Sequence, residues 1–272
     1  MNTEIEKLHQ REAEFHDEWA NSEKIEDIDV MSLFEGLTAM ENRFIIQHCG
    51  NLKGKKVLDV GAGLGESSVY FALQGAEVYY NDISPQMGEF ANALAARYGV
   101  KIHTVIAPAE KIAFGEGFFD IVHCANLMHH VPKDEHLKWI SNIHYFLKKG
   151  GWLYTWDPLK YNPVINVYRR MATEVRTDDE MPLGFDMIRT YGKVFTKVEH
   201  REFWFSTLWL FLYYYLIKRY NPNKVRYWKQ IYKETPKTIG WWFKPLQSLD
   251  KFFLKLPLIN RLAWNIVLCA QK

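Results

Sequence analysis

The sequence predicts an α/β protein built on a doubly wound, mostly parallel sheet, and three observations predict it. Short apolar runs alternate with helix-length stretches over residues 56–155. A glycine-rich turn, Gly61 to Gly65, follows the first apolar run, where a ligand loop of such a sheet belongs. With 272 residues and 48% hydrophobic side chains, the chain can bury one substantial core. Strands separated by helix-length connections pair in parallel through right-handed crossovers, because a twisted strand feeding a helix packs back onto the sheet only that way.

Residues 1–48 mix polar and apolar positions without a proline and stop near Gly50 and Gly54, which predicts a helical cap over residues 1–50. Lys56–Val60 (KVLDV) is an apolar run between turn signals and suits a strand buried on both faces. Glu66–Leu73 follows as a helix of about two turns, and Glu77–Asn81 as the second strand. Pro85 opens a helix that Gly99 stops, and Ile102–Ile106 and Phe119–Ala125 are two further strands. The next helix starts at Pro132 and Asp134. Its expected apolar face is Leu137, Ile140, His144 and Leu147, and Gly150 and Gly151 are expected to end it. Gly151–Thr155 is the fifth strand, and Asp157–Gly192 reads as irregular and helical. Lys193–Phe205 and Ala263–Ala270 read as two more strands, separated by an insertion over Ser206–Pro257. The domain plan is therefore a cap (1–50), a core (51–205), the insertion (206–257) and a closing strand (258–272).

The formal charge of +2 excludes a generally basic nucleic-acid binder or an acidic tail protein. Cys49, Cys124 and Cys269 are widely spaced and odd in number, which points to a reducing, cytoplasmic setting and away from a disulfide framework or structural zinc. The amino-terminal residues hold no apolar run of signal-peptide length, so export is not expected. The longest apolar run, Leu208 to Ile217, falls short of the roughly 18 to 20 residues that cross a hydrocarbon core.

The glycine turn reads Asp59-Val-Gly61-Ala62-Gly63-Leu-Gly65-Glu66, a spacing in which glutamate replaces the third glycine of a dinucleotide loop. A pyrophosphate there would meet two carboxylates. A cofactor carrying an ammonium and a sulfonium, such as S-adenosylmethionine, would instead be attracted by them. Asp82 ends the second strand, where a carboxylate accepts hydrogen bonds from both ribose hydroxyls of a bound nucleoside.

At this point the sequence resembles the class I, seven-stranded S-adenosylmethionine-dependent methyltransferases. The resemblance rests on VLDVGAGLGE (57–66), NDISPQM (81–87), PAEKIAF (108–114), FDIVHCANLMHHV (119–131) and FLKKGGWL (146–153), in family order over about residues 55–160. It implies a seven-stranded sheet whose last strand is antiparallel. Asp59 and the backbone of Gly61, Ala62, Gly63 and Gly65 would hold the methionyl end, and Asp82 the ribose. Ile83 and Met87 would flank the adenine, with Ala109 and Glu110 at its edge. Asn126 would face the methionyl group. Where many relatives carry an aspartate this chain has Pro108, so the resemblance implies that the usual carboxylate to the adenine amino group is either missing or replaced by Glu110.

Methyl transfer from a sulfonium needs alignment, exclusion of water and an unprotonated nucleophile, and no metal. Asn126 and Asp157 end neighbouring strands, but two oxygen donors are too few to hold a divalent ion. His129 and His130 are the expected bases, with His16 of the cap as a third candidate if the first helices fold over the crevice. Tyr161, Arg169, Arg170 and Arg176 follow the fifth strand, where the family builds substrate specificity, and they suit an acidic group on the acceptor; pairing of Arg176 with Asp178 or Asp179 is the alternative.

The insertion carries ten Lys and Arg against Glu234 and Asp250, a net of +8, which leaves −6 on the rest of the chain. It is also dense in Trp, Tyr and Phe. Basic, apolar and aromatic side chains together predict contact with an anionic membrane surface and a hydrophobic or lipid-linked small-molecule acceptor. The alternatives are a lid or homo-oligomer contact over a soluble, quinone-like acceptor and, less suited to so many aliphatic residues, a grip on single-stranded nucleic acid. A nicotinamide dehydrogenase and a non-catalytic binding protein are the remaining alternatives, both opposed by the glycine turn and its carboxylates.

Overall fold

The computed structural model describes residues 2–173 and 181–272. Seven strands form one sheet: β1 (Lys56–Val60), β2 (Glu77–Asp82), β3 (His103–Ile106), β4 (Phe119–Ala125), β5 (Leu147–Pro158), β6 (Lys197–Phe203) and β7 (Asn265–Gln271). Their order is β3-β2-β1-β4-β5-β7-β6, and β7 runs antiparallel to both of its neighbours while the other pairs are parallel. The order reverses between β1 and β4, and the crevice beyond their carboxyl ends is where such sheets bind ligands.

Alternate residues of the strands feed two cores. Val57, Ile121, Tyr154, Trp156 and Val267 belong to one, and Leu58, Val122, Leu153 and Leu268 to the other. The first core also takes in Leu37 and Ile45 of the cap and Leu208, Phe211, Tyr214, Ile231 and Phe243 of the insertion, so cap and insertion are packed on the same face of the sheet.

The cap consists of α1 (Asn2–Ser22), α2 (Val30–Glu35) and α3 (Met40–Cys49). The crossover helices are α4 (Glu66–Leu73), α5 (Pro85–Arg97) and α6 (His136–Phe146). Ser84 caps α5, its hydroxyl accepting the Met87 N–H at 3.0 Å, with Pro85 at the first helical position. Gly65 is required where α4 meets α5. It has φ +83, and a Cβ there would lie 2.5 Å from Ala91 Cβ.

Several elements differ from the sequence expectation. Helix α6 buries His136, Trp139, Ile140, Ile143 and Phe146 and leaves Leu137 exposed, because the two large aromatic rings set the buried face. The helix ends at Phe146, and Gly150 and Gly151 lie inside β5, which already pairs with β4 at Leu147. Lys193 to Thr196 are not strand: α8 (Asp186–Tyr191) precedes them, and the Val194 and Phe195 N–H groups turn back to the Tyr191 carbonyl.

After β5, Asn162 caps α7 (Pro163–Met171), accepting the Ile165 N–H at 3.1 Å. The insertion then folds as α9 (Trp209–Leu212), a π-helical turn over Tyr213–Ile217, α10 (Tyr227–Gln230) and α11 (Pro236–Phe253). Asp250 of α11, 5% exposed, accepts from the Ser206 N–H at 2.6 Å and the Thr207 hydroxyl at 2.6 Å. One of the insertion's two acids therefore ties α11 to the exit of β6. No helix among the described residues is long and apolar enough to cross a membrane.

Candidate active site

A cavity of about 290 Å³ opens beyond the carboxyl ends of β1 and β4. Its first wall is the glycine turn: Asp59, Gly61, Ala62, Gly63 and Glu66 line it, with Asn126 at the end of β4. Its roof is α1, through Phe15, His16 and Trp19, and its far side is the insertion, through Trp228, Lys229, Ile231 and Tyr232.

The turn is held open from behind. Asp59 is buried, and its oxygens accept from the Ser67 and Ser68 hydroxyls at 2.6 Å each and meet His123 Nδ1 at 2.7 Å. The next turn of backbone rests on Asp82, which accepts the Gly63 N–H at 2.9 Å and the Ser84 N–H at 3.0 Å. Burial raises the Asp82 carboxyl, opposed by the charge of His16 and by these backbone bonds. A Cβ on Gly63 would meet nothing within 4 Å, so the turn presents an unfilled cradle. Glu66 stands beside it, its carboxyl raised by burial with the Lys229 ammonium opposing.

Helix α1 covers the side of the turn that leads to Asp82. Asp17 accepts from the Ser84 hydroxyl, and His9 Nε2 lies 2.9 Å from Glu110. Asp82 is 4% exposed, Met87 is sealed in the core, and Ile83 and Ala109 are half-buried; none of these, nor Glu110, lines the cavity.

The three candidate histidines converge on the cavity. His129 Nδ1 is 2.8 Å from Asp157 Oδ1, which also accepts the His129 backbone N–H at 3.2 Å. Burial pushes the Asp157 carboxyl up to about 8, the His129 N–H and the His130 and His136 imidazoles opposing. Asp157 sits behind His129 and does not line the cavity. Glu12 of α1 lies 3.6 Å from both His130 Nδ1 and His16 Nε2. Burial alone would raise Glu12, but the two imidazoles outweigh it and hold its carboxyl well below the usual carboxylate range. His16, although desolvated, is raised by Glu12 and Asp82, so it favours the cationic form.

Of the residues expected to contact the acceptor, Arg169 lines the cavity, its Nη1 donating to the Leu159 carbonyl and to Asn166 Oδ1. Tyr161 lies instead against Phe185, with ring centroids 6.2 Å apart, and Arg170 is exposed. Arg176, Asp178 and Asp179 lie outside the described residues. Sequence reasoning missed Glu41 of α3, Trp156 of β5, Asn265 of β7 and the four insertion residues, all of which line the cavity. Only Trp156 carried a signal, its place near the carboxyl end of a core strand.

Comparison with known proteins agrees with this fold. Residues 57–151 match the model of a methyltransferase domain. A ubiquinone biosynthesis O-methyltransferase of Bordetella bronchiseptica is 32% identical over 121 residues, 44% of this chain and 49% of that protein. An uncharacterized methyltransferase of Synechocystis is 36% identical over 120 residues, 39% of this chain and 53% of the other. The chain thus spans about half the length of the curated relatives it matches. Magnesium protoporphyrin IX methyltransferase of Synechocystis, solved with S-adenosylhomocysteine, superposes over 100% of both chains with a TM-score of 0.56 at 15% identity. A methyltransferase structure from Archaeoglobus fulgidus covers 89% of this chain and 97% of its own, with a TM-score of 0.55 at 15% identity. Residues 57–151 thus match a methyltransferase domain, and the chain as a whole has the fold of the S-adenosylmethionine-dependent methyltransferase structures it superposes on. The family's cofactor is S-adenosylmethionine, and the open cradle at Gly63 beside buried carboxylates fits its ammonium and sulfonium.

Proposed function

We propose that this protein methylates a hydroxyl or amine of a hydrophobic small molecule, with His129 as the general base, while the outer face of the insertion rests on an anionic membrane. The observation that carries the reading is one cavity bounded by the glycine turn on one side and by His129, backed by Asp157, on another. Asp59 and the turn backbone would receive the methionyl end, and Asp82 the ribose once α1, which covers it through Asp17, moves aside.

The cofactor supplies an electrophilic methyl on a sulfonium whose departing sulfur is neutral. The protein must then align the acceptor and remove its proton. With Asp157 ionised, its carboxylate accepts the Nδ1 proton of His129 and leaves the Nε2 lone pair to take a proton from the acceptor. With Asp157 protonated, the proton between the pair is donated toward Nδ1 and Nε2 keeps its own hydrogen, so it cannot act as a base. The cationic tendency of His16 suits it to hold Glu12, which His130 also faces, whereas His129 is the one of the three set against Asp157 and so serves as the base.

Two observations support a dual role for the insertion. Its inner residues Trp228, Lys229, Ile231 and Tyr232 line the cavity, as a lid does. Its outer face exposes Trp209, Leu216, Ile217, Trp241, Phe252 and Leu256 among the exposed cations Lys218, Arg219, Lys237, Lys244, Lys251 and Lys255. On α11, Trp241, Leu249 and Phe252 share the side opposite the buried Ile239, Phe243 and Asp250. Aromatic and aliphatic side chains ringed by cations are the composition of an interfacial surface. The Bordetella bronchiseptica relative is, by its name, an O-methyltransferase of ubiquinone biosynthesis, which supports a hydroxyl as the acceptor.

The test is co-sedimentation with anionic and neutral vesicles, together with calorimetry of S-adenosylhomocysteine. Expected are salt-sensitive binding to the anionic vesicles, loss of that binding when Lys218, Arg219, Lys237 and Lys244 become Gln, and unchanged cofactor affinity. Equal sedimentation of both proteins would refute the membrane role. Absence of cofactor binding would refute the methyltransferase reading.

A further inference from the structure

The cavity has a polar corner that the cofactor reading does not use. Glu41, Trp156 and Asn265 come from α3, β5 and β7 and are 2%, 9% and 2% exposed. Asn265 Nδ2 donates to Glu41 Oε1 at 2.5 Å. Asn265 Oδ1 and Trp156 Nε1 are buried without a hydrogen-bond partner among the described residues, although both residues line the cavity. Asn265 stands opposite Pro158 and Val267 opposite Trp156 in the antiparallel β5–β7 pair, so Trp156 and Asn265 are diagonal neighbours on one face of the sheet.

Buried polar atoms are ordinarily bonded, and one left unpaired keeps its full desolvation cost. One unpaired atom here is a donor and the other an acceptor. A carboxylate would satisfy the indole N–H but has no proton for Asn265 Oδ1, and an ammonium would satisfy Asn265 but cannot accept from Trp156. A hydroxyl does both. Tyr168, Trp228, Tyr232 and Trp264 give the cavity ring surface and Ile165 and Ile231 aliphatic carbon, with Arg169 and Lys229 also in its lining.

Building on the acceptor site described above, we propose that Trp156 and Asn265, with Glu41 holding Asn265 in place, form a subsite for the hydroxyl of an uncharged aromatic ring. Glu41 acts here as a positioning residue, through its bond to the Asn265 amide. Burial raises its carboxyl, opposed chiefly by that bond, so the corner disfavours a fixed negative charge. The ring would lie among the insertion's aromatic side chains, with its hydroxyl read by the sheet.

Calorimetry with four probes of one shape tests this on the full chain, with and without S-adenosylhomocysteine: 4-propylphenol, 4-propyltoluene, 4-propylbenzoate and 4-propylbenzylamine. Expected is preference for the phenol by about tenfold over the toluene, with the charged probes weaker still. Trp156→Phe, which keeps the ring and removes the N–H, and Asn265→Ala should each erode the phenol preference toward unity while cofactor-product affinity stays unchanged. Equal binding of phenol and toluene, tighter binding of either charged probe, or an intact preference in both variants overturns the inference. The subsite belongs to α3, β5 and β7, so the preference is expected without the cofactor product as well. Failure of S-adenosylhomocysteine to bind would strike the methyltransferase reading and leave the phenol preference standing or falling by itself.

Discussion

One wall of the cavity is drawn from a short stretch, Asp59 to Glu66 with Asp82 behind it, while the other gathers Glu41, Trp156, Lys229 and Asn265 from four distant stretches. The first is held by many bonds within the core: Asp59 to three side chains and Asp82 to two backbone amides. The second is closed by contacts between cap and insertion. Lys229 Nζ lies 2.6 Å from Glu23 and 4.4 Å from the Trp19 ring centroid, and Arg226 stands over the same ring at 4.7 Å. The fixed wall suits a cofactor of constant shape, whereas a wall assembled from separate elements through part-buried pairs and side-chain packing can open to admit a bulky acceptor.

The largest expected effect separates chemistry from binding. His129→Ala should lower kcat by about 10²- to 10⁴-fold and leave S-adenosylhomocysteine affinity unchanged, measured by turnover and calorimetry. A loss confined to KM would move His129 from the base to the acceptor-binding wall. The pH profile sharpens the same point. Because burial pushes Asp157 up to about 8, activity should rise with pH through that value. Asp157→Asn should remove the rise, since an amide cannot ionise. The stability effect has the opposite sign: a carboxyl raised above its unfolded value stabilises the fold fully at acid pH, and that contribution is lost as pH climbs through about 8. The Asn variant should therefore gain Tm relative to the parent at pH 8 more than at pH 4.

The next effect belongs to the fixed wall. Asp82→Ala should weaken cofactor binding by about 1.5–3 kcal/mol, through lost charge-assisted bonds to the ribose and a released Gly63 N–H. An unchanged affinity would remove Asp82 from the cofactor site and leave it as a brace for the glycine turn. The smallest effect belongs to the closable wall. Lys229→Met should cost about 0.5–1 kcal/mol of stability, because its partners are partly exposed, yet speed amide exchange in α1 and α10. If exchange in α1 is unmoved, the cap is held by its apolar packing alone.

The difference between the walls also decides what could be read beforehand. The turn Gly61–Gly65, Asp82 and the Ser84 cap are local patterns, and a strand-turn-helix places its own side chains. His129 and His130 were visible for the same reason, as residues just past a core strand. Their separate partners were not: Asp157 lies 28 residues from His129, and Glu12 comes from a helix folded back over the crevice. The face of α6 was misread because Trp139 and Phe146 fill more volume than the periodicity of Leu137 and Ile140 suggested. Tyr161 and Arg170 follow the expected strand but point elsewhere, since the cap of α7 at Asn162 sets which side of that helix meets the cavity.

The sequence by itself determined the alternation of strands and helices, the glycine turn and the carboxylate after β2, because each depends on residues within a few positions of one another. It also determined that the insertion is basic and aromatic, which is composition alone. Only the tertiary structure decided that the insertion turns one face into the cavity and leaves another apolar and cationic face exposed. It alone brought Asn265 to Glu41 across 224 residues of chain, a pairing that exists because β7 returns antiparallel beside β5 while α3 packs on the same face.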